Sequence, residues 1–344
     1  MANRVRPMNV HVAPGSAAER IVRRRAGLPQ DETRTHKSAS HDLQSHGGKT
    51  IPNLHYTNFY VGGASSWSQS DMQSIDAALA AALSDQSLNN VMMQYFQNQP
   101  ISTTFASSQV LPGSAPAVVS QGDAENMIQQ LYTQGLLNNF DLTSTLFNLM
   151  LPSGTILNDD ATPTGGQGQG AAAPATSERK QEHHQERRHG HVVPEQEQAD
   201  SLHGLGGYHG SIHVTAADGS AHTIYYAVGV YSETRPDGTT NGIPVFDAPW
   251  KNVVATFYHE ANEMRTDADV EDAIKAGNDP NADNYLGWMS QQGEECGDYP
   301  VFVANPLTQV FQEVSLASGN GTVPVQFMYS NAVHGAEGPS ANPV

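Results

Sequence analysis

Cysteine is nearly absent: Cys296 is the one cysteine in 344 residues. That excludes an intrachain disulfide and any zinc site built from several thiolates. Positive charge is almost as scarce outside two segments. Across 51–158 and 201–344 only Arg235, Lys251, Arg265 and Lys275 are basic, against a large excess of Asp and Glu, and the formal charge is -18. Such an acidic body argues against nucleic acid or an anionic membrane as partner and fits a well-solvated surface or a cationic ligand. Long hydrophobic runs are missing. None approaches the roughly 20 apolar residues of a membrane span, so no transmembrane segment is expected. The opening Met1-Ala2-Asn3-Arg4-Val5-Arg6 lacks an apolar core and does not read as a secretory signal.

Gly and Pro are plentiful, at 31 and 20 residues, which points to a loop-rich fold. Residues 1–50 are polar and basic, with Arg23-Arg24-Arg25, and are expected to form a disordered arm. Order is expected from Ile51. Residues 54–61 carry the aromatic and β-branched content of a strand. Residues 72–83, 88–96 and 123–137 read as helices, and 142–150 as a short fourth. Residues 159–200 have the Gly/Ala/Pro and charged composition of a disordered linker, and their His183, His184, His189 and His191 are expected to be solvated. Strands are then expected at 211–214, 222–231, 310–314 and 323–329, a helix at 249–264, and a disordered tail at 336–344. The pattern predicts one α+β domain, a mixed sheet with packed helices. Residues 51–158 and 201–335 supply its two parts around the linker.

The chemistry concentrates in His259-Glu260-Ala261-Asn262-Glu263. An imidazole and a carboxylate four residues apart on a helix share one face. Both can reach one metal ion, and the carboxylate directly after the His can serve as general base. This is the logic of a zincin-like active helix with its second His replaced by Glu. Catalytic zinc sites usually take three protein ligands, so a third is needed. The acidic segment Gly293-Glu294-Glu295-Cys296-Gly297-Asp298 offers Glu295 as that ligand, with Asp298 as its alternate or supporting partner. Asp267, just past the expected helix end, reads as structural or as orienting His259. His209, flanked by glycines in Gly206-Gly207-Tyr208-His209-Gly210, reads as a loop residue able to approach a metal or substrate oxyanion.

Several segments resemble, in order, elements of the exordium-like (phosphate-induced protein 1) family, in its bacterial-type form. They are Phe59-Tyr60-Val61-Gly62-Gly63 with Trp67, Gly206-Gly207-Tyr208-His209, Tyr226-Ala227-Val228, and His259-Glu260-Ala261-Asn262-Glu263 with Thr266-Asp267. Gly287-Trp288, Glu295-Cys296-Gly297-Asp298 and Gln326-Phe327-Met328-Tyr329-Ser330-Asn331 follow. The resemblance covers roughly residues 52–335 without the linker, each motif being short. It implies an extracellular protein, without bringing a settled reaction. The chain departs from the plant members in its missing signal peptide, its missing cysteines and its insertion at 159–200. The expected function is a zinc-dependent hydrolase, metallopeptidase-like, acting on a peptide or other small substrate. His259, Glu263 and Glu295 would hold zinc and Glu260 would be catalytic. The alternative is a non-catalytic extracellular binding or signalling protein in which the same carboxylates hold a structural metal or a hydrogen-bond network.

Overall fold

A computed structural model describes residues 7–28, 38–160, 198–216 and 218–339. Its centre is a six-stranded mixed sheet made by β1 (Val10–Val12), β2 (Asn53–Tyr60), β3 (Ser102–Val110), β4 (Thr145–Met150), β5 (Leu205–Thr215) and β6 (Ala221–Gly229). The spatial order is β1-β5-β6-β4-β2-β3. β3, β2, β4 and β6 run parallel; β5 is antiparallel to β6, and β1 antiparallel to β5. Helices cover both faces: α1 (Ala17–Ala26) and α3 (Gln121–Thr133) on one, α2 (Gln69–Ser84) and α4 (Pro249–Thr266) on the other. The mixed α+β architecture is the one expected.

Successive strand side chains point to opposite faces, and the core follows that alternation. Tyr56, Tyr60, Leu146, Met150, Tyr225 and Ala227 pack with α2 and α4. Phe59, Phe147, Leu149, Tyr226 and Val228 pack with α1 and α3. On β5, Tyr208 belongs to the α1/α3 side. His209, the next residue, therefore turns to α4.

Five expectations change. Residues 142–150 form no helix: Thr145–Met150 is the buried strand β4, held between β2 and β6. A strand buried on both faces reads as a continuous apolar run and loses the period-2 signal. The segment around His209 is not a loop but the first half of β5. Its glycines mark close approaches, since a Cβ at Gly207 would meet Thr256 and Glu260 of α4. Much of the supposed arm is ordered, with β1 and α1 built and Met8, Val10, Val12, Ala18, Val22 and Ala26 buried. At the other end, Gly335–Glu337 pairs as a strand with Met328–Ser330 where a tail was expected from 336, and residues 340–344 lie outside the described residues. Residues 88–96 become a 3-10 helix at Asn90–Phe96. Of the expected linker, residues 161–197 lie outside the described residues; its flanks meet in a bridge between Asn158 and Asp200. No described helix is long and apolar enough to cross a membrane.

Candidate metal centre

α4 starts with Pro249 at its first turn, where a missing N–H costs nothing, and runs to Thr266. One stripe, Val253, Val254, Phe257, Ala261 and Met264, is apolar and joins the core beside α2. The other carries Thr256, His259, Glu260 and Glu263 and is buried as well. It faces β5, the loop 293–298, and the strand Thr322–Gln326 of a hairpin with Phe311–Ser315. The side chains of His209, His259, Glu260, Glu263 and Glu295 are all fully buried.

The tautomer of His259 is set by its neighbours. Gln326 Nε2 donates to the Gly297 carbonyl at 2.6 Å, which turns Gln326 Oε1 toward His259 Nδ1, 2.9 Å away. Nδ1 therefore carries the hydrogen, and Nε2 presents its lone pair. That lone pair stands 3.0 Å from Glu263 Oε2, and neither atom has a hydrogen-bond partner. The other Glu263 oxygen accepts from the Gly297 N–H at 3.0 Å. A Cβ at Gly297 would run into the His259 ring and the Glu263 carboxylate, so this approach needs glycine.

A similar arrangement recurs next door. His209 Nδ1 lies 3.2 Å from Glu260 Oε2, while Nε2 faces Glu295 Oε1 at 3.5 Å without a well-formed hydrogen bond. Neither oxygen of Glu295 is hydrogen-bonded, nor is Glu260 Oε1. Two groups of three result, each with ligand atoms within 4.8 Å of one another: His209, Glu263 and Glu295, and His259, Glu260 and Glu263. The expected trio of His259, Glu263 and Glu295 is thus divided between two groups that share Glu263. His209 joins them in a place that sequence reasoning gave to a loop.

Asp298 and Asp267 do different work. Asp298 accepts the Glu295 N–H at 2.9 Å and shapes the loop that presents Glu295. Asp267 caps the end of α4 and accepts the Gly287 N–H at 2.8 Å, with its second oxygen unpartnered. Two residues were missed. Gln326 lies in a hairpin whose sequence says only "strand", and His11 sits in the basic N-terminal segment, its ring 3.9 Å from that of His259.

The electrostatics are one-sided. Burial pushes the carboxyls of Glu260 and Glu263 up from their usual range, and those of Glu295 and Asp298 well above it. Burial lowers His259. Burial also opposes protonation of His209, but Glu295 and Glu260 beside it carry its pKa well above the usual value. A cluster of buried carboxylates around the His259 lone pair, with His209 the one neighbouring group drawn toward its charged form, calls for positive charge. Two ligands on one zinc, with bonds of about 2.0–2.2 Å, stand roughly 3–3.5 Å apart. The His259–Glu263 and His209–Glu295 separations fit that requirement.

No protein-family model matches this chain, and no curated protein or solved structure matches it.

Proposed function

We propose that the protein is a zinc-dependent hydrolase of the metallopeptidase kind. The observation that carries this is the facing pair of buried, unpartnered atoms, His259 Nε2 and Glu263 Oε2, 3.0 Å apart, with the imidazole tautomer held by Gln326. His259, Glu263, His209 and Glu295 would hold the ion. Zinc, when bound, supplies a Lewis acid that polarises a carbonyl and acidifies water. Glu260 would take the proton, a role supported by Oε2 being held by His209 while Oε1 has no hydrogen-bond partner. Gln326 and Glu260 each fix a ring nitrogen, which orients the imidazoles toward the ion. Metal analysis of the purified protein tests the reading. About one zinc per chain is expected in the wild type and none in His259→Ala; a metal-free wild type, or full occupancy in the variant, rejects it.

A second reading is favoured by one specific observation: all five central side chains are sealed from solvent. In it the cation is structural and the protein binds rather than cleaves. Glu260→Gln separates the two. A hydrolase loses roughly 100- to 10,000-fold in turnover while keeping its zinc. A binding protein keeps both metal and activity.

A further inference from the structure

The sheet edge beside the centre is occupied by the chain itself. β5 has β6 along one side and only the three residues of β1 along the other. A sheet edge offers unpaired N–H and C=O groups on which any extended chain can pair. Here Val10 lies opposite Tyr208 and His11 opposite Gly207; the register then slips, and Val12 meets Leu205. Two further ties carry the segment across the centre. Asn9 Nδ2 donates to the His209 carbonyl at 2.8 Å, and the Met8 N–H donates to the Gly293 carbonyl at 2.9 Å. Residues 8–12 thus run from the strand that carries His209 to the loop that carries Glu295.

Directly opposed residues in an antiparallel pair share a face. His11 therefore stands on the α4 side, and a Cβ at Gly206 would run into its ring. Its ring is tilted 40° on the His259 ring, with centroids 3.9 Å apart. His11 is only 1% exposed, and its Nε2 has no hydrogen-bond partner. A buried imidazole with an unpartnered ring nitrogen is costly, and an apolar side chain would fill the same place more cheaply. A polar group aimed at the centre from an added strand is what an extended substrate would present.

We infer that the β5 edge is the docking track for an extended polypeptide, and that residues 8–12 are a built-in occupant which must leave before a substrate strand can pair there. This rests on the hydrolytic reading above and names its substrate class and its control. The sealed centre then belongs to the resting form. A three-residue ladder and the Asn9 and Met8 bonds hold the occupant, so its release is a local event that leaves α1 in place.

The test uses the full chain, zinc-loaded, with the recognition sequence of a site-specific protease inserted in the turn between Val12 and Ser16. Cutting frees the occupant. Hydrolysis of a quenched-fluorescent peptide pool is expected to rise about tenfold over the uncut chain, as for an edge open roughly a tenth of the time. A synthetic peptide of residues 7–14 is expected to reverse the gain. His11→Gly in the uncut chain, a milder change, is expected to give a smaller gain in the same direction. Equal rates before and after cutting, with zinc bound, overturn the inference and leave the hydrolytic reading standing. If neither form binds zinc or hydrolyses peptide, the hydrolytic reading fails and fluorescence anisotropy decides the docking track. Capture of a labelled extended peptide by the cut chain alone, displaced by the 7–14 peptide, upholds it; equal or absent capture overturns it.

Discussion

Two buried acidic groups flank β5, and the fold treats them in opposite ways. Glu271, on the short helix α5 (Val270–Ala276), is 1% exposed and fully answered. Its Oε2 accepts the Ser211 N–H at 2.7 Å; its Oε1 accepts the Gln121 amide at 2.6 Å and lies 2.9 Å from Lys275 Nζ. Glu295 is just as deeply buried, and neither of its oxygens receives a hydrogen bond. The chain supplies a backbone donor, an amide and an ammonium to one carboxylate, while the other faces only His209 Nε2 at 3.5 Å. Unanswered carboxylates at the centre are therefore not a shortage of donors in this part of the fold. In the hydrolytic reading proposed above they would be the complement of a cation that comes from outside.

Metal addition should widen that contrast most. Zinc at about a thousandfold excess over its dissociation constant should stabilise the fold by roughly 4 kcal/mol, read as a rise in thermal midpoint, because it binds the folded centre and not the unfolded chain. His259→Ala should abolish the rise, and Glu271→Gln should keep it. A zinc response that survives His259→Ala would place the cation elsewhere.

Removing the answered carboxylate should come next in size. Glu271→Ala leaves Lys275, Gln121 and the Ser211 N–H facing an emptied site, and about 3 kcal/mol of stability should be lost in denaturant unfolding. In zinc-free protein Glu295→Gln should do the reverse at neutral pH, a gain of about 1 kcal/mol, because it removes a buried carboxyl that burial pushes well above its usual range. Losses of equal size in both variants would show that Glu295 has partners after all. Gly297→Ala should fall between them in stability but cost all tight zinc binding, since the added methyl displaces the His259 ring.

The helix half of the centre was legible in the sequence because it is local. Four-residue spacing on α4 puts His259 and Glu263 together whatever the rest of the chain does. Glu295 was legible as an acidic segment after the helix, though not its pairing with His209. His209 and His11 come from strands, where contacts depend on register and not on spacing. In both places local composition misled. The glycines around His209 suggest a loop, yet they are small so that α4 and β1 can lie close. The arginines before residue 26 suggest a solvated arm, yet Met8, Val10 and Val12 alternate among polar residues and are buried. Strand β4 was missed for the converse reason, since burial on both faces erases alternation.

The smallest effect is a slope. In zinc-free protein burial pushes the Glu263 carboxyl from its usual 4.5 up to about 7. The folded form then keeps a proton that the unfolded chain has released, so stability should fall as pH rises from about 4.5 to 7 and level off above. The steepest part should be roughly 1 kcal/mol per pH unit. Glu271, also pushed up to about 7 and chiefly by burial, adds the same trend from the other side of β5. Zinc requires deprotonated ligands, so loading should reverse the centre's share: the zinc-bound fold should gain stability over the same interval while Glu271 still opposes it. Subtracting the zinc-free from the zinc-loaded curve cancels Glu271 and leaves the centre. Glu271→Gln should remove the same falling component from both curves, flattening the zinc-free one and steepening the zinc-loaded one, and leave their difference unchanged. A difference that vanishes in Glu271→Gln would mean that the two carboxylates act as one site.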